Sequence, residues 1–137
     1  MLLRNLKPKD DKMNKELENK LYRKYPKIFR QKDLPPSETA MCWGICVGDG
    51  WYEIIDKLCE KLTKVDKDIE AVQVKEKFAG LRFYTTPTNS KAINLISKAE
   101  DESFSTCEFC GSKKNVKQVG KVWIKTLCNK CAKTYKK

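Results

Sequence analysis

Apolar and polar residues alternate most regularly in the segment 71–85, AVQVKEKFAGLRFYT. The apolar positions share one face of an extended chain, and they are Val72, Val74, Phe78, Leu81 and Phe83. The polar positions share the other face, and they are Gln73, Lys75, Lys77, Arg82 and Tyr84. Gly80 tolerates the positive φ of a tight turn. The pattern therefore predicts a β-hairpin that turns at Ala79-Gly80.

Cations gather on the polar face of this hairpin. The predicted turn places Lys77 opposite Arg82, and Lys75 opposite Tyr84. Like charges directly opposite each other destabilise a hairpin, which favours an anion between them. Arg82 is the only arginine after residue 30, and its planar fork can hold a phosphate through two hydrogen bonds. We therefore predict a ligand site at Lys75, Lys77, Arg82 and Tyr84; a solvated sheet face or an internal salt bridge of Arg82 is the alternative.

Glu76 departs from the alternation, because it lies on the apolar face opposite Phe83 in the predicted register. A carboxylate in that position indicates one of three arrangements. It lies at the rim of the sheet, it pairs with a cation, or the register differs from the predicted one.

Helical periodicity of apolar residues predicts helices on both sides of the hairpin. One begins at Asp10 or Asp11 and ends before Pro26, because the residue before a proline avoids the helical region. Another follows the hairpin and begins at Asn89 or Ser90, either of which is a good cap for a helix.

The loop 41–51, MCWGICVGDGW, leads into the most amphipathic helix, which runs from Trp51 to Val65. Asp49 or Gly50 is predicted to cap that helix. Trp43 and Trp51 flank the loop. Each is either a core anchor or, if exposed beside Arg82, a surface on which a base stacks.

Seven cysteines fall into two groups. Cys107-Glu-Phe-Cys110 and Cys128-Asn-Lys-Cys131 form two C-x2-C pairs separated by 17 residues. Four thiolates at this spacing close a tetrahedral shell around a structural Zn²⁺, whereas redox chemistry would need only one pair. The remaining cysteines have no fourth ligand and no histidine nearby, so they are predicted to be core thiols: Cys42, Cys46 and Cys59.

Composition narrows the function classes. The chain of 137 residues has no histidine, which removes the commonest general base, and no carboxylate pair suggests catalysis, so we do not expect an enzyme. It has no apolar run long enough to span a membrane. The segment MLLRNLKPKDDK lacks the pattern of a signal peptide, and the reduced cysteines fit a cytoplasmic protein.

The net charge of +11 favours anionic partners, and residues 107–137 alone carry nine lysines and one glutamate.

Three motifs, CWGI, GDGW and QVKEKF-x-GLRFY, precede the two cysteine pairs. In this combination the chain resembles a group of small phage and prophage proteins, over roughly residues 20–137. The resemblance implies a phage origin, an α+β core with a zinc knuckle, and the cytoplasm of an infected bacterium as the location. It also implies two possible roles, interference with host defence or service in phage transcription or replication.

The sequence thus predicts an α+β fold in which helices pack on a small antiparallel hairpin or sheet. The core spans 1–106, and a treble-clef or zinc-ribbon-like module spans 107–137, packed on the core or appended to it. The predicted function is non-catalytic capture of a phosphate-bearing small ligand such as a nucleotide, in the phage setting a host immune signal. The alternatives are binding of DNA or RNA through the lysine-rich module, or inhibition of a host protein by direct contact.

Overall fold

The computed structural model describes residues 12–135. Within them, four helices combine with a three-stranded and a two-stranded sheet, which confirms the α+β class. The helices are α1 (Lys15–Lys24), α2 (Tyr52–Val65), α3 (Ser90–Ser103) and α4 (Asn129–Ala132). The strands are β1 (Ile45–Cys46), β2 (Ala71–Lys77), β3 (Gly80–Thr85), β4 (Val116–Val119) and β5 (Lys125–Cys128). In this part of the chain no helix is both long and apolar enough to cross a membrane.

Helix α1 begins later than predicted. The Asn14 side chain accepts hydrogen bonds from the amides of Glu16 and Leu17 and so caps the helix at Lys15. The predicted start at Asp10 or Asp11 lies outside the described residues. The predicted end is confirmed, because the helix stops at Lys24, before the proline.

Helix α2 occupies the predicted segment, but the prediction that Asp49 or Gly50 caps it is wrong. A short 3-10 turn, Asp49–Trp51, precedes α2, and neither the turn nor the helix has a side-chain cap. The Asp49 carboxylate instead accepts a hydrogen bond of 2.7 Å from the Asn14 amide. Helix α3 is capped as predicted, since the Asn89 side chain accepts from the Ala92 amide.

The hairpin turns one residue earlier than the sequence predicts. Phe78 and Ala79 form the turn with φ values of 53° and 71°, so the prediction of a turn at Ala79-Gly80 is wrong. Two contacts explain the shift. The Glu76 carboxylate accepts a hydrogen bond of 2.8 Å from the Ala79 amide, which stabilises the turn from inside. Gly80 lies under the ring of Phe104, where a Cβ would overlap the ring carbons.

The new register changes the cross-strand partners but preserves most of the two faces. Lys75 is opposite Arg82, and Glu76 is opposite Leu81 instead of Phe83. Because the pairing moves by two positions, the residues from Gln73 onward in β2 and their partners in β3 keep their predicted side of the sheet. A bulge before Gln73 interrupts the alternation, so Ala71 and not Val72 joins the buried core. Phe78 also departs from the prediction: as a turn residue it leaves the apolar face and is 77% exposed.

The apolar face of the three-stranded sheet belongs to the main core. Ile45, Val74 and Phe83 form one buried row across β1, β2 and β3. They join a cluster that also includes α2 side chains such as Ile55 and Leu62. Burial of each large aliphatic side chain contributes about 1.5–3 kcal/mol. The core therefore fixes the orientation of the opposite, polar face.

Helix α3 also covers the free edge of β3. The Leu81 amide donates to the Ser103 hydroxyl, and the Phe83 amide donates to the Glu100 carboxylate, both at 2.9 Å. Amides on a strand edge need partners when no further strand is present. Here side chains of α3 supply them.

The CWGI motif has a structural explanation. Gly44 has a φ of 85° and lies against the Glu18 carboxylate, where a side chain would not fit. Glu18 is 1% exposed and accepts hydrogen bonds of 2.8 Å from the Ile45 amide and from the Tyr22 hydroxyl. Burial alone would raise the pKa of Glu18, but these hydrogen bonds outweigh it and lower the pKa.

Candidate metal centre and anion-binding sheet face

The four C-terminal cysteines come together as predicted. The Sγ atoms of Cys107, Cys110, Cys128 and Cys131 all lie within 4.8 Å of one another. The Sγ atoms of Cys110 and Cys128 are 3.7 Å apart. A tetrahedral site with Zn–S bonds of about 2.3 Å has edges of about 3.8 Å. The cluster therefore has the size and ligand number needed to hold a metal ion.

Local backbone geometry supplies each pair of ligands. The first pair lies on a tight turn in which the Gly111 amide donates a 2.9 Å hydrogen bond to the Cys107 carbonyl. That turn requires the φ of 83° that Gly111 adopts. The second pair follows β5: Cys128 caps α4, and its Sγ accepts from the Cys131 amide at 3.4 Å. Strands β4 and β5 form the antiparallel hairpin that connects the two pairs.

The environments of the thiols differ. The hydrogen bond from the Cys131 amide lowers the pKa of Cys128 to about 7. Burial raises the pKa of Cys110 and of Cys131 above the usual value for a thiol. A metal ion binds thiolates, so metal binding must displace the protons of these two thiols.

The module packs on the GDGW loop of the core. The Gly50 amide donates a 2.7 Å hydrogen bond to the Glu108 carbonyl, and the Gly48 amide donates one of 2.9 Å to the Glu108 carboxylate. A Cβ at Gly50 would overlap the Cys107 carbonyl and lie 2.5 Å from the Gly111 nitrogen. Position 50 therefore requires glycine, because the backbone of the loop and the backbone of the module are in contact at this position.

Trp51 is part of the same junction. Its side chain has no exposed surface, and its indole donates a 2.8 Å hydrogen bond to the Thr106 carbonyl. A surface ligand cannot stack on a fully buried ring. Trp51 therefore cannot stack on a ligand. It is a core anchor, which is the other role that the sequence predicted for it.

Three buried charged residues connect the module to the hairpin. Lys125 donates a 2.9 Å hydrogen bond to Glu108, and its Nζ lies 3.9 Å from the Glu76 carboxylate. Side-chain exposure is at most 5% in all three. Burial raises the pKa of Glu108 to about 7 even though Lys125 opposes the shift. The cation partner thus explains why Glu76 occurs on the apolar face.

The sequence patterns above did not predict that Glu108 and Lys125 form an ion pair. The sequence does contain a sign of this pair, because Glu108 is the only acidic residue between 107 and 137 and lies inside the first cysteine turn. Lys125 opens the strand KTLC, whose four residues are all buried. A single carboxylate among nine lysines, inside the first cysteine turn, indicates a buried ion pair.

The four predicted ligand residues of the hairpin lie on the polar face of the three-stranded sheet, each with a cross-strand partner that differs from the predicted one. Lys75 lies directly opposite Arg82, and Gln73 lies opposite Tyr84, which is 41% exposed. Lys77 is opposite Gly80 and lies over the Phe78 ring, 5.5 Å from its centroid.

Within the described part of the chain, Arg82 has no charge partner. Its Nε is buried and has no hydrogen-bond partner among these residues. Among residues 12–135 no carboxylate lies within 4.0 Å of the charged atoms of Lys75 or Arg82. Two half-buried cations therefore face each other without an anion, which is unfavourable in the free protein.

Trp43 is 62% exposed. It lines a cleft of about 360 Å³ together with Lys12, Lys15 and Lys32, and this cleft includes neither Lys75 nor Arg82. Of the three other cysteines, only Cys59 is fully buried. Cys42 and Cys46 are half-buried, and their thiols donate to backbone carbonyls, so the prediction of core thiols is confirmed for Cys59 alone.

The geometry defines an α+β protein with a C-terminal four-cysteine cluster able to hold a metal ion. Comparison with protein-family models, with curated proteins and with solved structures gave no match. The resemblance to phage proteins therefore stays a prediction.

Proposed function

We propose that the protein binds a phosphate-bearing small ligand, such as a nucleotide, on the polar face of its three-stranded sheet. The single observation that carries the proposal is the half-buried Arg82 opposite Lys75, whose guanidinium has no hydrogen-bond partner among the described residues. Its Nε has no exposed surface, so a ligand meets the two terminal nitrogens, which can also hold two phosphate oxygens. A bound phosphate gives the guanidinium an anionic partner and separates the two cations.

The surrounding residues suit the rest of such a ligand. Tyr84 and Gln73 form the neighbouring cross-strand pair on the same face. An exposed phenol ring offers an apolar plane to a base, and an amide offers both a donor and an acceptor. Lys77 adds a third cation at the end of the face nearest the turn.

Binding without catalysis is part of the proposal. The phosphate site holds cations and hydrogen-bond donors but places no carboxylate in contact with Arg82 among the described residues. The ligand is therefore recovered chemically unchanged. In the phage setting implied by the sequence resemblance, the protein sequesters a host nucleotide signal in this way.

We also propose that Cys107, Cys110, Cys128 and Cys131 hold a structural Zn²⁺ in a treble-clef-like module. The order of elements supports this, since a cysteine turn, a two-stranded hairpin and a short helix bring the two ligand pairs together. All four positions of the shell are filled by thiolates, so no position is left for substrate.

Thermal unfolding in the presence of candidate ligands tests the phosphate site. Mononucleotides, cyclic dinucleotides and inorganic phosphate are each added to the zinc-loaded full-length protein. A ligand at 100 times its Kd stabilises a protein by about 2.7 kcal/mol, which raises Tm by roughly 8–12 °C for a domain of this size. The ligand is then recovered and analysed for chemical change.

Two arginine variants make the result specific. Arg82→Ala removes the fork and should abolish the shift, and Arg82→Lys should also fail, because a point charge cannot bind two oxygens in plane. Arg23→Ala is the matched control, since Arg23 is exposed on α1, and it should keep the full shift. A shift of equal size in wild type and Arg82→Ala, or no shift with any of the three ligand types, rejects the proposal.

A further inference from the structure

We infer that the C-terminal module carries a second anion-binding surface, separate from the sheet face, that binds the backbone of duplex DNA. Residues 107–137 contain one acidic residue, Glu108. Glu108 is fully buried and bonded to Lys125, so it contributes no negative charge to the surface.

The remaining cations of the described module all face solvent. These exposed lysines are Lys113, Lys114, Lys117, Lys121, Lys130 and Lys133. One of them, Lys113, pairs with Glu102 of α3 at 2.8 Å. Such exposed pairs are weak and are screened by salt, so a phosphate can replace the carboxylate. The module thus presents lysine charge without competing carboxylates of its own.

The metal centre does not cancel this charge. Four thiolates and Zn²⁺ together carry a formal charge of about −2. Residues 107–137 carry nine lysines and one glutamate, so the segment remains clearly positive with the metal bound. A rigid surface with charge of one sign attracts a polyanion over long range.

The kinds of residue favour duplex DNA over a single strand. All cations of the module are lysines, which contact phosphates as point charges and do not read bases through a planar fork. Its most exposed apolar side chains are aliphatic: Val122 is 77% exposed and Ile124 is 37% exposed. Single-strand binders instead present aromatic rings on which bases stack. We therefore expect contact with the duplex backbone that is independent of sequence.

Fluorescence anisotropy with a labelled duplex of about 20 base pairs tests the inference, using the zinc-loaded full-length protein. The affinity should fall steeply as salt rises from 50 to 200 mM, with a log–log slope of about −0.9 for each phosphate contacted. Unlabelled duplexes of different sequence should compete equally. A single strand of the same length should bind more weakly than the duplex.

Two quadruple variants with the same change in net charge separate a local surface from overall charge. In the first, Lys114, Lys117, Lys121 and Lys130 are changed to glutamine, and the affinity should fall at least tenfold with a shallower salt slope. The matched control changes the exposed lysines of the α2 region, Lys57, Lys61, Lys64 and Lys67, to glutamine. It should leave the affinity within about twofold, because these lysines affect only long-range attraction.

Several outcomes overturn the inference. Equal losses in the two quadruple variants would mean that only net charge matters. Stronger binding to single-stranded DNA or to RNA, or no binding to the duplex at 50 mM salt, would also reject it. Zinc content and Tm of both variants are measured to confirm that they fold. The Arg82→Ala variant should bind the duplex normally. A failure of the DNA-binding inference is therefore distinguishable from a failure of the small-ligand proposal.

Discussion

Lys125 donates a 2.9 Å hydrogen bond to Glu108, and both side chains are almost completely shielded from solvent. Lys125 belongs to the strand that leads into the second cysteine pair, whereas Glu108 lies inside the first. Glu76 approaches the same ammonium group from the hairpin. One buried cation therefore joins the four-cysteine module to the strand that carries Lys75.

Replacing Lys125 by methionine should be strongly destabilising. The substitution leaves Glu76 and Glu108 buried without their cation, and breaking a buried ion pair typically costs about 3–5 kcal/mol. Urea denaturation measures the loss. Lys117→Met is the control, because Lys117 is exposed, and it should change stability by less than about 0.5 kcal/mol. A small effect of Lys125→Met would show that the ammonium is not needed for stability.

Metal removal should unfold the C-terminal module. Metal analysis of the purified protein should find one zinc per chain, and Cys128→Ser should lose it, because a hydroxyl is a poor fourth ligand for Zn²⁺. Chelation or this variant should abolish protection of β4 and β5 from hydrogen exchange. Cys42→Ser is the control and should keep the metal, since that thiol contacts only the Thr39 carbonyl among the contacts described. An intact module in zinc-free protein would contradict the structural role.

Gly50→Ala should weaken the junction between the core and the module. The added methyl group overlaps the Cys107 carbonyl and forces the first cysteine turn away from the loop. We expect a loss of about 1–3 kcal/mol in unfolding free energy together with faster zinc release to a chelator. Normal stability and normal zinc release in this variant would mean that the two backbones separate easily.

Arg82→Ala should not destabilise the free protein. Arg82 has no carboxylate partner among the described residues and lies opposite another cation, so its removal relieves repulsion. We expect an unfolding free energy within about 0.5 kcal/mol of wild type, or slightly above it. A large loss of unfolding free energy, measured by urea denaturation, would show that Arg82 supports the fold. The polar face of the sheet would then have a structural role.

The contribution of Glu18 to stability should depend on pH. Its hydrogen bonds lower its folded-state pKa below the usual value, so its stabilisation is present above that usual value and is lost as the pH falls through the folded pKa. Glu18→Gln should cost about 1–3 kcal/mol at pH 7. The difference in unfolding free energy between wild type and variant should shrink below about pH 4.5. A difference that stays constant down to pH 3 would contradict this assignment.

Local patterns predicted the features that depend on near neighbours in sequence. The cysteine spacing identified the four ligands because each pair lies on its own turn. The faces of β2 and β3 were largely predicted because alternation survives a register shift of two positions. The turn itself was misplaced, because Glu76 and Phe104 select it through contacts that alternation does not encode.

Contacts between distant segments could not be predicted from the sequence. The GDGW loop was interpreted as a turn with a helix cap, yet its glycines meet a segment about 60 residues away, as the bond between Gly48 and Glu108 shows. The burial of Trp51 follows from the same junction. No local propensity contains this information, because it arises only when the two backbones are brought together.

The covering of β3 by α3 has a consequence for self-association. The outward amides of Leu81 and Phe83 already have acceptors in Ser103 and Glu100. Strand addition, the route by which many sheets dimerise or recruit peptides, needs those amides to be free. The three-stranded sheet is therefore closed to β-augmentation along β3, and edge-to-edge polymerisation through that strand would first require α3 to detach.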